Sequence, residues 1–214
     1  DLGEYETVLE IAGEAASVAR GFGRWDTEAW ALGQLGNANI RLGNLAQAEL
    51  LYLECEKIWN NHPEQGHYIH TTYYHLGRLC ILRGDYNRAY NYLAQSLRIK
   101  KEQGELKEGF AHCAIQLGIA CAHLGPERCK EAVDYLNQAI EIVETSLGDK
   151  RGVAEARYGY ALVSSKTGNI DDAINQAKLG LRELDGGVFP DVQVQLMMLL
   201  AKLVLRSGKI QHVS

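Results

Sequence analysis

Glycine returns along this chain at a nearly fixed interval. Gly43, Gly84, Gly125, Gly168 and Gly208 follow one another at 41, 41, 43 and 40 residues, and Gly3 lies 40 before the first of them. A period in this range marks stacked repeats, each a unit too small to bury its own apolar face. A second ladder runs inside the first. Leu35-Gly36, Leu76-Gly77 and Leu117-Gly118 are 41 apart, and Tyr160-Ala161 and Leu200-Ala201 keep the register. A third follows each turn by five residues, at Ala48, Ala89 and Ala173. Ala132 comes seven after Gly125, so two residues inserted in that turn explain the 43-residue step. The ladders also account for 22 glycines beside three prolines. Scattered through helix interiors, each glycine would cost up to about 1 kcal/mol.

Each unit reads as two helices. Leu32, Leu35, Ala38 and Leu42, then Leu76 and Leu79, then Leu117, Ala120 and Leu124 recur at helical steps and make one apolar face. The turn glycines stand where a helix closes in the left-handed conformation that glycine adopts cheaply. Asn44, Asp85 and Asn169 follow directly and are placed to cap the next helix, while Pro126 suits a first helical turn. The small residue seven before each turn glycine lets two helices approach closely. The pattern predicts ten helices: one over roughly 4–20, four antiparallel pairs from about 26 to about 186, and one near about 191–207. The chain then reads as a single stack, with a half repeat at 1–25, repeats at 26–66, 67–107, 108–150 and 151–190, and a half repeat at 191–214. Such boundaries predict either a segment of a longer protein or ends covered by another surface, self-association included.

This arrangement resembles the tetratricopeptide repeat. That family places Leu-Gly in the first helix, a glycine after it, then an alanine, an aromatic and a small residue in the second. The chain offers Leu35, Gly36, Gly43, Ala48, Tyr52 and Cys55, then Leu76, Gly77, Gly84, Ala89, Leu93 and Ser96. Leu117, Gly118, Gly125, Ala132, Leu136 and Ala139 follow, and Tyr160, Ala161, Gly168, Ala173, Ala177 and Gly180 form a weaker fourth set. Leu32 and Tyr73 replace the usual early tryptophan, and the closing proline is missing. The longer unit is similar to repeats in kinesin light chains, G-protein-signalling modulators, and bacterial signalling ATPases and transcription regulators. The resemblance implies an all-α, right-handed α-α superhelix of helix pairs that binds proteins or peptides without catalysis.

It further implies that first helices line a concave groove. The positions that would face it hold Trp30, Gln34, Asn37 and Arg41, then Tyr74, His75 and Arg78. His112, Gln116, Ile119 and His123 come next, then Tyr158, Leu162 and Lys166, then Met198, Lys202 and Arg206. Glu155 is the one acid among these positions, so the groove leans basic in a chain whose net charge is -5. The Asn37 amide can satisfy both donors and acceptors of a peptide backbone. Arg78 can take a carboxylate in bidentate fashion, and Trp30 and Tyr74 supply flat apolar area with little entropy to lose. These residues point to an acidic or C-terminal carboxylate-bearing peptide. The competing reading is a solvated polar face that contacts another domain of its own protein. The carboxylate clamp of chaperone-binding members is not reproduced, since Gly33 and Ile119 occupy some of its polar positions.

Other chemistry lacks a frame. His62, His67, His70 and His75 crowd one region with Cys55 and Cys80, but no cysteine pair has a metal-like spacing, and neither metal nor cofactor is expected. Cys80 and Cys121 read as small buried hydrophobes. Cys129 lies between Arg128 and Lys130 near a helix start, a setting that would favour a thiolate; an incidental thiol is the main reading and redox sensing the lesser one. No nucleophile elbow or phosphate loop appears, so no enzyme is expected. The acidic balance argues against nucleic acid, and no apolar run is long enough to span a membrane. Five scattered cysteines suit a reducing, cytoplasmic compartment. The expected function is a protein- or peptide-binding scaffold within a larger signalling or regulatory protein. The alternative is the sensor or autoinhibitory arm of a signalling ATPase or transcription regulator.

Overall fold

The computed structural model describes residues 2–104, 108–145, 148–185, 187 and 189–208, with side chains left aside at 2–4, 65–67 and 108. The His67 side chain and the segments 105–107 and 209–214 therefore lie outside the described residues. The helices are α1 (Leu2–Gly21), α2 (Trp25–Arg41), α3 (Leu45–Asn61), α4 (Ile69–Leu82) and α5 (Tyr86–Glu102). They continue with α6 (Glu108–Leu124), α7 (Cys129–Thr145), α8 (Lys150–Lys166), α9 (Ile170–Glu183) and α10 (Pro190–Ser207). Short 3-10 turns occupy Pro63–Tyr68 and Pro126–Arg128, so Pro126 opens a tight turn ahead of α7 instead of the α-helix itself. The chain is all-α across the described residues and forms two compact units, Asp1–Ile99 and Lys100–Ser214.

Within each unit, helices pack on their sequence neighbours as antiparallel pairs, and the small-residue ladder sets how close they come. A Cβ on Gly36 would stand 2.5 Å from the Tyr52 ring, and one on Gly77 would stand 2.5 Å from Leu93 Cγ. In the second unit a Cβ on Gly118 would meet Leu136 Cγ at 2.9 Å. Tyr52, Leu93 and Leu136 are themselves fully buried, so the second helix uses the space that glycine leaves. Ala161 and Ala177, both fully buried, are the corresponding residues of α8 and α9. Each pair buries one face inward and the other against the next pair, which is how short helices gain a shared core.

The turns hold two departures from expectation. Gly43, Gly84, Gly168 and Gly208 have φ of 79°, 75°, 87° and 66°, whereas Gly125 takes φ 148° and ψ 172° to lead into Pro126. Asp85 and Asn169 cap their helices, accepting from the Arg88 and Asp172 backbone N–H groups at 3.2 Å. Asn44 does not cap α3. Its side-chain amide donates to Asn39 Oδ1 at 3.3 Å instead. Asn39 is buried, with its own amide donated to the Leu35 carbonyl, and its oxygen needs a donor that Asn44 supplies.

Candidate functional site

A cleft of about 460 Å³ opens in the first unit between α2, α3 and α4. Its lining follows from the seam. Gly36 lets the Tyr52 ring lie flat beneath α2, and the Tyr52 hydroxyl donates to Asn37 Oδ1 at 2.8 Å. The His75 ring stacks on Tyr52 with centroids 5.4 Å apart and an interplanar angle of 4°. Trp30 stands over the opening with 63% of its surface exposed, and Trp59 and Tyr68 close one side. Gln34, Thr71 and Thr72 add short polar groups.

Two titrations define the cleft at neutral pH. Burial, and then the Arg78 guanidinium, hold the His75 imidazole down at about 3, so it is neutral. Burial raises the Tyr52 phenol above its ordinary value, so its hydroxyl remains a donor. Trp30, Gln34, Asn37 and His75 thus line one cavity, whose single charged lining residue is Asp26. Arg41, Tyr74 and Arg78 do not line it. Arg78 lies over the Tyr74 ring at 5.7 Å, near enough to act on both Tyr52 and His75. Arg41 is exposed in the last turn of α2.

The second unit treats its expected residues differently. Gln116 is buried and donates to Glu155 at 2.8 Å. Arg151 donates to Glu155 at 2.9 Å and to Asp191 at 2.6 Å, so one network ties α6, α8 and α10 together. His112 Nε2 lies 3.5 Å from Asp149, the residue whose side chain caps α8. Tyr158 is partly buried and packs on the α8–α10 core. His123 is held down to about 4 by burial and then by Lys166 and Lys202, which places both lysines close to it. Lys166 and Lys202 are exposed. His123, Lys166 and Lys202 therefore come together, while Gln116 serves the interior. Position counting along first helices missed Tyr52, Trp59, Arg151, Asp149 and Asp191. Tyr52 was visible as a seam residue, but nothing local marked it as a cleft wall.

At Cys129 burial favours the incidental thiol over the redox reading. Cys129 is 5% exposed, and burial pushes its thiol up despite the pull of Lys166. All five cysteines are buried, and burial holds Cys55 and Cys121 at about 12. Among the described residues no three His, Cys, Asp or Glu side chains converge as metal ligands. His62 instead stacks on Trp25 at 3.9 Å. Among those residues no helix is long and apolar enough to cross a membrane.

Stacked helix pairs that close on a glycine seam define a helical repeat fold. Residues 68–144 match the tetratricopeptide repeat family. Its fold is similar to that of BtubC (BKLC) from P. vanneervenii, with a TM-score of 0.68 and 18% identity over 97% of this chain and 85% of that one. A thermophilic TPR protein in Thermus thermophilus aligns with a TM-score of 0.49 and 21% identity, over 92% of this chain and 99% of that one. No curated protein matches the sequence. Tetratricopeptide repeats serve in general as scaffolds for protein interaction, and the fold supports that kind of role.

Proposed function

We propose that this chain is a non-catalytic scaffold that holds an extended peptide against its first helices, anchored in the cleft of the first unit. The observation that carries the reading is the exposed Trp30 ring above an amide- and hydroxyl-lined cavity. Large exposed aromatics beside a concave, partly apolar cavity are typical binding anchors. An apolar or aromatic peptide side chain buried there gains about 1.5–3 kcal/mol from burial. Asn37 has its oxygen engaged by Tyr52, which leaves its amide N–H groups to meet peptide carbonyls.

The partner segment is acidic or ends in a free carboxylate. Arg78 stands next to the cleft and can pair a carboxylate in bidentate fashion. The second unit offers Lys166 and Lys202 on its own first helices. Five cysteines held as thiols, with no disulfide between them, fit a reducing, cytoplasmic setting. Selection from a display library of peptides with free C-termini tests the reading. Enriched peptides should carry an apolar residue close to an acidic residue or the C-terminus. They should be lost on Trp30→Ala and on the Asn37→Ala, Arg78→Glu double variant. Peptides that bind all three proteins equally would place recognition elsewhere.

A further inference from the structure

The cleft of the first unit carries more hydrogen-bonding capacity than it uses. Thr72 of α4 is only 6% exposed and lines the cleft, yet its hydroxyl meets no hydrogen-bond partner among the described residues. One turn further along α4, the His75 ring stacks on Tyr52 through its face, and its nitrogens make no hydrogen bond among those residues. On α2, the Gln34 side chain makes none either. Asn37 gives its oxygen to the Tyr52 hydroxyl and keeps its amide N–H groups unused. Buried polar groups ordinarily find partners, and a set left bare around one cavity marks a place for a ligand's own polar group.

The chemistry of that group follows from the lining. A neutral imidazole offers one donor and one acceptor, a hydroxyl offers both, and an amide N–H donates. The one charged lining residue, Asp26, stands in the first turn of α2 and already accepts from Arg24 at 3.3 Å. A charged anchor would therefore enter without a free counter-charge. The walls are rings, with Trp30 over the opening and Tyr52 and His75 stacked at an interplanar angle of 4°. Such walls suit a flat side chain. Among flat side chains a phenol both donates and accepts at its tip, while an indole only donates and a phenyl does neither.

We infer that the peptide anchor seated in this cleft is a tyrosine, an assignment that rests on the cleft being the anchoring site proposed above. Its ring lies between the aromatic walls, and its hydroxyl meets Thr72, His75 and the Asn37 amide. Thr72 then sets specificity. A phenylalanine in the same place leaves the Thr72 hydroxyl and the His75 nitrogens unpaired and out of water, a loss that a site built around a hydroxyl does not tolerate. A cleft selecting by apolar burial alone would rank the two the other way, since phenylalanine is the more apolar.

Pools of synthetic peptides with free C-termini and the same randomised, acid-enriched flanks, differing only in a fixed central Tyr, Phe or Leu, test this on the immobilised full chain. The Tyr pool should bind about tenfold more tightly than the Phe pool. Thr72→Val keeps the shape of the side chain and removes an unpartnered hydroxyl, so it should fold, which circular dichroism checks. It should cut the Tyr preference several-fold and leave binding of the Phe pool unchanged. Equal or weaker binding of the Tyr pool by wild type overturns the inference whether or not the variant folds, and so does a folded variant that keeps the full preference. If those pools are still lost on Trp30→Ala, the cleft remains the anchoring site and only the tyrosine assignment fails. No binding of any pool, or binding that Trp30→Ala leaves untouched, removes the anchoring site and the tyrosine with it.

Discussion

His75 is the group through which acid should loosen the first unit. Its ring is partly buried and stacked on Tyr52, and burial together with Arg78 holds it at about 3 against an ordinary 6.5. A depressed histidine binds fewer protons folded than unfolded. Its contribution to stability is therefore complete above the ordinary value and is lost as pH falls from there toward the folded value. Between about pH 7.5 and about pH 5 the unfolded imidazole becomes almost fully protonated while the folded one stays neutral. Linkage converts that difference into roughly 2 kcal/mol of lost stability. Urea unfolding at both pH values, for wild type and His75→Gln, isolates the effect. His123 and the carboxylates titrate in both proteins and cancel in the comparison. Wild type should lose about 2 kcal/mol more than the variant over this interval. Equal losses would mean that the folded His75 titrates normally, and the reasoning would fail.

Further predictions separate seam from surface. Gly36→Ala should destabilise by up to about 2 kcal/mol, because overpacking against buried Tyr52 outweighs the helix-propensity gain. Gly33→Ala, in the same helix with nothing within 4 Å of its added Cβ, should instead stabilise by up to about 1 kcal/mol in thermal or urea unfolding. Glu155→Ala should cost about 1–3 kcal/mol in the same assays, since it leaves the buried Gln116 amide unpaired and Arg151 with Asp191 alone. Glu155→Gln should cost clearly less. Cys129 should react with a thiol alkylator no faster than the other four cysteines in the native protein, and quickly once urea unfolds it. Selective native labelling at Cys129 would restore the thiolate reading.

The helix stack was legible because its determinants are local. A glycine that must turn and a small residue that must admit a neighbour recur at one period, and Ala48, Ala89 and Ala173 lie in the same frame. A second turn series, Gly23, Gly104 and Gly148, also takes positive φ without a regular spacing to mark it. It is interrupted where the 3-10 turn beginning at Pro63 joins two pairs. The candidate site was only half legible. Trp30, Gln34, Asn37 and His75, expected from their positions along first helices, line one cleft. Tyr52 and Trp59 come from the second helix, and their place in the cleft depends on how far the Gly36 seam lets α3 advance. The bonds from Arg151 to Glu155 and Asp191 join residues 4 and 40 apart in the chain, and the longer link has no local signature. At Cys129 the flanking cations were plain in the sequence, while the burial that outweighs them was not.

The most direct test of peptide capture by the first-helix cleft is photo-crosslinking. A library-selected peptide would carry a benzophenone at its apolar anchor, and mass spectrometry would locate the adducts on the chain. Adducts on Trp30, Gln34 or the neighbouring residues of α2 and α4 are expected, and competition by unlabelled peptide should remove them. Adducts confined to the outer faces of α3 and α5, equally competed, would contradict the account.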